Sequence, residues 1–210
     1  MALNSSHPVI VADGLGKRFG DVIAVDSMSF QVRPGETVAL LGGNGAGKTT
    51  TMAMLLGLLT PTAGQVRIFG ADMAHHRSKA LARMNFSAPY VDLPRRLTPR
   101  ENLTVYGHLY GVQGVAARLE TLVRDLDMGG FVDRPMGTLS AGQDTRVALA
   151  KALMNSPEVL LLDEPTASLD PETGDRMRGY LEDYRAETRA AILLASHNMA
   201  EVERICDRVL

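Results

Sequence analysis

The sequence predicts an α/β protein: a mostly parallel sheet with helices on both faces, and an inserted α-helical lobe. Three observations predict it. Val159 to Asp163 and Ala190 to Ala195 are almost continuously apolar, as strands buried on both faces of a sheet are. Segments of helical periodicity alternate with the apolar runs, the arrangement that produces parallel strands joined by crossover helices. From about residue 87 to 155 the alternation stops, and the pattern is helical with no convincing strand. The 210 residues therefore divide into a core of about 1–86 and 156–210 and a lobe of about 87–155, within one domain.

Each element has a local cause. Val9 to Val11 and Met28 to Val32 read as short strands, and Arg33-Pro34-Gly35-Glu36 as a turn. Thr37 to Leu41 is an apolar strand that runs straight into a glycine-rich loop. Thr49 to Leu59 reads as a helix, stopped by Thr60-Pro61, and Gln65 to Phe69 as a strand ended by Gly70. Thr98-Pro99-Arg100-Glu101 is a capping box with proline at the first helical position. It opens a helix to about Tyr110, with Gly111 just beyond. Asp170-Pro171 opens another, whose apolar positions Met177, Tyr180, Leu181 and Tyr184 share one face. Arg208-Val209-Leu210 reads as the start of a strand, which predicts a truncated C-terminal end.

Bulk properties exclude some classes. An apolar fraction of 45% suits a globular core. A formal net charge of −2 argues against nucleic acid as a partner, which general phosphate attraction would hold on a basic face. The basic residues between Arg77 and Arg100 read as a solvated face. Cys206, the only cysteine, cannot form an intrachain disulfide and reads as a small buried apolar residue. No apolar run reaches the roughly 18 residues that a membrane span needs, and the N-terminus lacks the pattern of a secretory signal.

The chemistry concentrates in three places. Gly42-Gly43-Asn44-Gly45-Ala46-Gly47-Lys48-Thr49 fits G-x-x-x-x-G-K-[ST] between a strand and a helix, the phosphate-loop context. Glycines let consecutive amides point inward at phosphate oxygens, and the following helix adds the positive end of its dipole. Lys48 then reaches the β- and γ-phosphates and the Thr49 hydroxyl ligates Mg²⁺. Val159 to Asp163 delivers Asp163 and Glu164 at a strand's C-terminal end, where open parallel sheets hold their ligands. Asp163 suits Mg²⁺; Glu164 suits the water that attacks the γ-phosphate, as base or orienting group. Third, Leu139-Ser140-Ala141-Gly142-Gln143 holds the capping box Ser140-x-x-Gln143 at a helix start, and a capped helix start is also an anion site.

With these motifs in hand, the chain resembles the ATP-binding subunits of ABC transporters. Leu139 to Gln143 is similar to their Leu-Ser-Gly-Gly-Gln signature, and phosphate loop, signature, acidic strand and late histidine stand in the family's order from about Val9 onward. The resemblance implies a P-loop NTPase core with N-terminal antiparallel strands, and a single ABC ATPase domain over 1–210. It implies that ATP and Mg²⁺ are held by Gly42, Asn44, Gly45, Ala46, Gly47, Lys48, Thr49 and Thr50 together with Asp163. It implies that Phe19 stacks on adenine, although Phe19 also reads as core. It implies that Ser140, Gly142 and Gln143 touch ATP held by the other member of a homodimer or heterodimer. Ser168-Leu169-Asp170 would speak across that interface, although Asp170 also reads as an N-cap. Glu164 and His197 would be catalytic with Lys48, although His197 also reads as a structural histidine. The family works at the cytoplasmic face of a membrane, peripheral to a transmembrane permease subunit, and Ser196 to Arg208 looks most like exporter subunits with separately encoded permeases.

Two positions depart from the family. Ala141 stands where glycine is usual, and alanine tolerates helical backbone angles. The family's magnesium-ligating glutamine has no counterpart in Asn85 to Tyr90; its position falls near Pro89, so Ser87 or a water must substitute. Rival readings are weaker. Translation-factor ATPases carry two such domains per chain, chromosome ATPases carry a long coiled coil, and a regulatory module without turnover does not need Glu164 and His197.

Overall fold

A computed structural model describes residues 7–88 and 92–210. In chain order its elements are β1 (Ile10–Phe19), β2 (Val22–Val32), β3 (Thr37–Leu41), α1 (Lys48–Leu55), β4 (Ala63–Ile68), β5 (Ala71–Asp72), α2 (Ser78–Leu81) and β6 (Met84–Ser87). Then come α3 (Pro99–Leu109), α4 (Val115–Asp125), a 3₁₀ turn (Met136–Thr138), α5 (Ala141–Leu153), β7 (Val159–Asp163), α6 (Pro171–Thr188), β8 (Ala191–Ser196), α7 (Met199–Ile205) and β9 (Arg208–Val209).

Among the described residues the strands form two sheets. One is antiparallel, in the order β2-β1-β4-β5; the other is wholly parallel, in the order β6-β7-β8-β3-β9. The parallel sheet is apolar on both faces because both are covered. Leu160, Leu162, Ile192 and Leu194 point into a cluster with α5, α6 and the helices of the lobe. Val159, Leu161, Leu193 and Ala195 point the other way, against α1 and the antiparallel sheet. Alternate residues of one strand thus enter two different cores, as the period-2 geometry of strands requires. Lobe residues such as Leu103, Leu122 and Phe131 belong to the same cluster as Met177 and Leu181 of α6, so lobe and core share apolar packing.

β1, β2, β6 and α1 differ from the sequence reading for identifiable reasons, and the short β5 and α2 were not anticipated. β1 and β2 are much longer than Val9–Val11 and Met28–Val32, and pair through to Phe19↔Val22. Register shifts between Ala12 and Leu15, Leu15 and Lys17, and Lys17 and Arg18 scramble the alternation that would have revealed them. β6 pairs with β7 from Met84↔Val159 to Ser87↔Leu162, where no strand was expected. Four residues are too short for a periodic signal. α1 stops at Leu55 rather than Leu59, because Gly57 turns left-handed at φ 66° and takes the chain out of the helix. Cys206 is only half-buried, against the same cluster as the lobe.

Cys206 offers a simple check. Burial pushes its thiol up to about 12 from 9.0. At a pH below both values the thiolate fraction then falls by about a thousandfold, and the thiolate is the nucleophile. Iodoacetamide at pH 8 is expected to label Cys206 of the folded protein far more slowly than in urea, as followed by mass spectrometry. Equal rates would refute the burial.

Candidate functional site

The glycine-rich loop leaves β3 and enters α1. Gly47 is the residue before the helix, left-handed at φ 83°. A Cβ there would lie 2.3 Å from the Ala24 carbonyl oxygen of β2, so only glycine lets the loop pass so close to that strand. Gly45 is also left-handed, at φ 82°, but faces open space. The Lys48 ammonium lies inside the curl and donates to the carbonyls of Gly42 and, at 3.1 Å, Gly43. A cavity of about 270 Å³ opens over the loop, lined by Ala24, Gly43 to Thr50, Asp163 and Glu164. The loop residues named from the sequence, Asn44, Gly45, Ala46, Gly47, Lys48, Thr49 and Thr50, thus share one wall with the acidic pair; Gly42 stands just behind, its carbonyl holding Lys48.

Thr49 and Asp163 are 114 residues apart in sequence, yet the Thr49 hydroxyl donates to Asp163 Oδ2 at 3.3 Å. Both are hard oxygen donors at the edge of the loop cavity. Mg²⁺ usually takes one or two protein oxygens and completes its shell with water and substrate phosphates. The donor set therefore fits that ion. Burial pushes the Asp163 carboxyl above the ordinary carboxylate range, with the neighbouring Glu164 charge adding to the rise; the Thr49 hydrogen bond and Lys48 oppose it.

Glu164 has left-handed backbone at φ 50°, a conformation that costs a non-glycine residue about 1–3 kcal/mol. Its amide donates to the Ala195 carbonyl of β8 at 2.9 Å, which holds the strained turn. The side chain is thereby aimed across the sheet's end at His197, whose Nδ1 lies 2.6 Å from Glu164 Oε1. With the proton on Nδ1, the imidazole donates to the carboxylate and leaves Nε2 free. His197 is 61% exposed, and its hydrogen bond to Glu164 sets the direction of the ring.

The α5 start is built as its capping box predicts. Ser140 Oγ accepts from the Gln143 amide at 3.3 Å, and Gln143 Oε1 accepts from the Ser140 amide at 3.0 Å. Those two bonds satisfy two of the helix's four orphan amides and leave those of Ala141 and Gly142. Gly142 packs on the loop after β7: a Cβ there would meet the Ser168 carbonyl at 3.0 Å. Ser140, Gly142 and Gln143 line no part of the loop cavity. Asp170 is the N-cap of α6, accepting from the Thr173 amide at 3.0 Å. Phe19 is 50% exposed at the β1–β2 turn, which excludes a core role, and Lys17 Nζ stands 5.1 Å from its ring centre.

A second cleft, about 230 Å³, lies where the lobe meets the strand ends, lined by Ser87, Arg95, Ala141, Asp144, Asp163 and Glu164 among others. Ser87 therefore faces the same space as the acidic pair. Pro89 lies outside the described residues. Sequence reasoning missed Ala24, which contributes through its backbone and so leaves no motif. It also missed Thr166, Ser196 and Glu201, a buried hydroxyl–carboxylate cluster behind Glu164 and His197. Distance in the chain hid that cluster.

Residues 25–167 match the family model described as ABC transporter, more than half of the chain. The Nod factor export ATP-binding protein I of Burkholderia lata is 41% identical over 195 residues, covering 92% of this chain and 64% of that protein. The protein of that name from Bradyrhizobium diazoefficiens is 36% identical over 213 residues, covering 99% and 68%. The chain thus spans less than two thirds of the Burkholderia relative's length. A solved structure described as the ATP binding subunit of an ABC transporter superposes with a TM-score of 0.87 at 28% identity, covering 96% of this chain and 85% of that one. The cbiO1 protein of Clostridium perfringens, described as part of the ABC transporter complex cbiONQ, superposes with a TM-score of 0.81 at 26% identity, covering 96% and 83%. Among the described residues no helix is long and apolar enough to cross a membrane.

Proposed function

Since the chain belongs to the ABC transporter family, we propose that it binds and hydrolyses ATP with Mg²⁺, pairs with a second such domain around the nucleotide, and drives a separate transmembrane permease from the cytoplasmic face of the membrane. The observation that carries this reading is the separation of two anion-receptive helix ends. The phosphate loop forms one cavity with Asp163 and Glu164, while the free amides at Ala141 and Gly142 lie outside it. A γ-phosphate held by the loop of one copy can satisfy the α5 tip of another. The export role in the names of the Nod factor relatives supports an exporter with a separately encoded permease.

In this mechanism the loop amides and Lys48 bind the phosphates, and Phe19 offers its exposed ring to adenine. Bound magnesium would be held by Thr49 and Asp163, and it neutralises developing phosphate charge. Glu164 accepts a proton from the attacking water, while His197 fixes the carboxylate through Nδ1 and presents Nε2 to the γ-phosphate. The loss of the γ-phosphate removes what bridges the two copies, and the lobe passes the motion to the permease.

With magnesium and a non-cleavable ATP analogue, light scattering is expected to report a two-copy mass, and Ser140→Arg to abolish it. The chain is also expected to co-purify with a multi-span membrane protein. Single copies at every nucleotide concentration, with no membrane partner, would overturn the reading.

A further inference from the structure

We infer that Glu201 is a positioning residue for hydrolysis: its buried carboxylate clamps the two loops that carry Glu164 and His197 and so sets the distance between them. The inference rests on the reading of Glu164 as the base. Glu201 is 2% exposed, on the first turn of α7. Its Oε1 accepts from the Thr166 hydroxyl at 2.6 Å, and its Oε2 from the Ser196 hydroxyl at 2.7 Å. Thr166 lies two residues after Glu164, and Ser196 immediately precedes His197. One carboxylate thus holds both chain segments that deliver the Glu164–His197 contact.

The clamp is tightly built. Both distances fall in the short range of hydroxyl-to-carboxylate bonds, which are stronger than neutral ones. Ser196 Oγ also accepts from the Asn198 amide at 3.1 Å, and Asn198 Oδ1 in turn caps α7 at the amides of Ala200 and Glu201. Thr166 and Ser196 are themselves buried. Among the described residues Glu201 has no cationic partner within salt-bridge distance, although buried acids usually have one. Its two arms end beside the strained turn at Glu164 and the imidazole facing it. Without the clamp, the Glu164 amide bond to Ala195 still ties the strand ends, but among the described residues no other side-chain hydrogen bond links Thr166 to Ser196.

Glu201→Gln tests this, since it keeps the shape and loses the charge. The expected result is turnover lowered at least tenfold, ATP affinity within threefold of the parent, and moved ring resonances of His197 in the nucleotide-free protein. The double variant Glu164→Gln/Glu201→Gln is expected to turn over no more slowly than Glu164→Gln alone, because Glu201 acts through that residue. Turnover of Glu201→Gln within twofold of the parent, or additive losses in the double variant, would overturn the inference. If Glu201→Gln does not fold, Thr166→Val removes one arm and must lower turnover and move the His197 signals; unchanged signals would overturn it. Glu164→Gln run in parallel separates the two levels. Normal turnover there sinks the base assignment itself, whereas loss there with none in Glu201→Gln sinks only the clamp.

Discussion

Glu164→Gln is expected to lower ATP hydrolysis by roughly 10²–10⁴-fold, the range in which a positioned general base contributes. ATP affinity should stay close to that of the parent. The amide has the same shape as the carboxylate, so the left-handed turn, its bond to Ala195 and the packing around it all persist. It can still accept from His197 Nδ1 through its oxygen. What it cannot do is take a proton from water. Binding depends on the loop amides, Lys48 and Thr49, none of which the substitution touches. With turnover blocked and binding intact, the paired state should accumulate under ordinary ATP, visible as a two-copy mass that the parent shows only with a non-cleavable analogue. Phosphate release measured alongside ATP affinity decides the matter. Hydrolysis within tenfold of the parent would remove Glu164 from the role of base.

The parts of this site that were legible in the sequence are those whose cause is local. The loop from Gly42 to Thr49 is one continuous motif, and the capping boxes at Thr98 and Ser140 each close within four residues, so their geometry followed from identity and spacing. β3 and β7 are apolar at all but one position each, Thr37 and Asp163, and their bounds came out as read. Legibility ended where the cause is distant or is carried by the backbone. The bulged pairing of β1 and β2 depends on register shifts that no periodicity displays. The Glu164–His197 contact joins residues 33 apart, and its direction depends on a left-handed backbone that glutamate rarely adopts. The Thr166–Glu201 bond joins residues 35 apart. Sequence reading could name Glu164 and His197 as candidates but had no means of finding what holds them together.

Ala24 shows the same limit, and it carries the second large effect. Gly47→Ala is expected to abolish measurable ATP binding and to destabilise the protein by about 3–5 kcal/mol. Two costs combine at this position. At φ 83° any Cβ is strained, and here the Cβ would also sit 2.3 Å from the Ala24 carbonyl oxygen. That oxygen belongs to β2, at the bulge between the Arg18↔Ile23 and Lys17↔Val25 pairs, so Ala24 is held on both sides by neighbours paired with β1 and has little room to retreat. The loop must therefore move, and its amides and Lys48 move with it. Gly45 separates the two costs, since it is equally left-handed at φ 82° but a Cβ there would meet nothing within 4 Å. Gly45→Ala thus meets strain alone and is expected to cost about 1–2 kcal/mol. Urea unfolding of the nucleotide-free proteins reads the order directly, and titration with a fluorescent ATP analogue reads its consequence. A Gly47→Ala protein that is as stable as Gly45→Ala, or that binds the analogue like the parent, would mean that β2 yields, and that the close approach of Ala24 to the loop does not shape the nucleotide site.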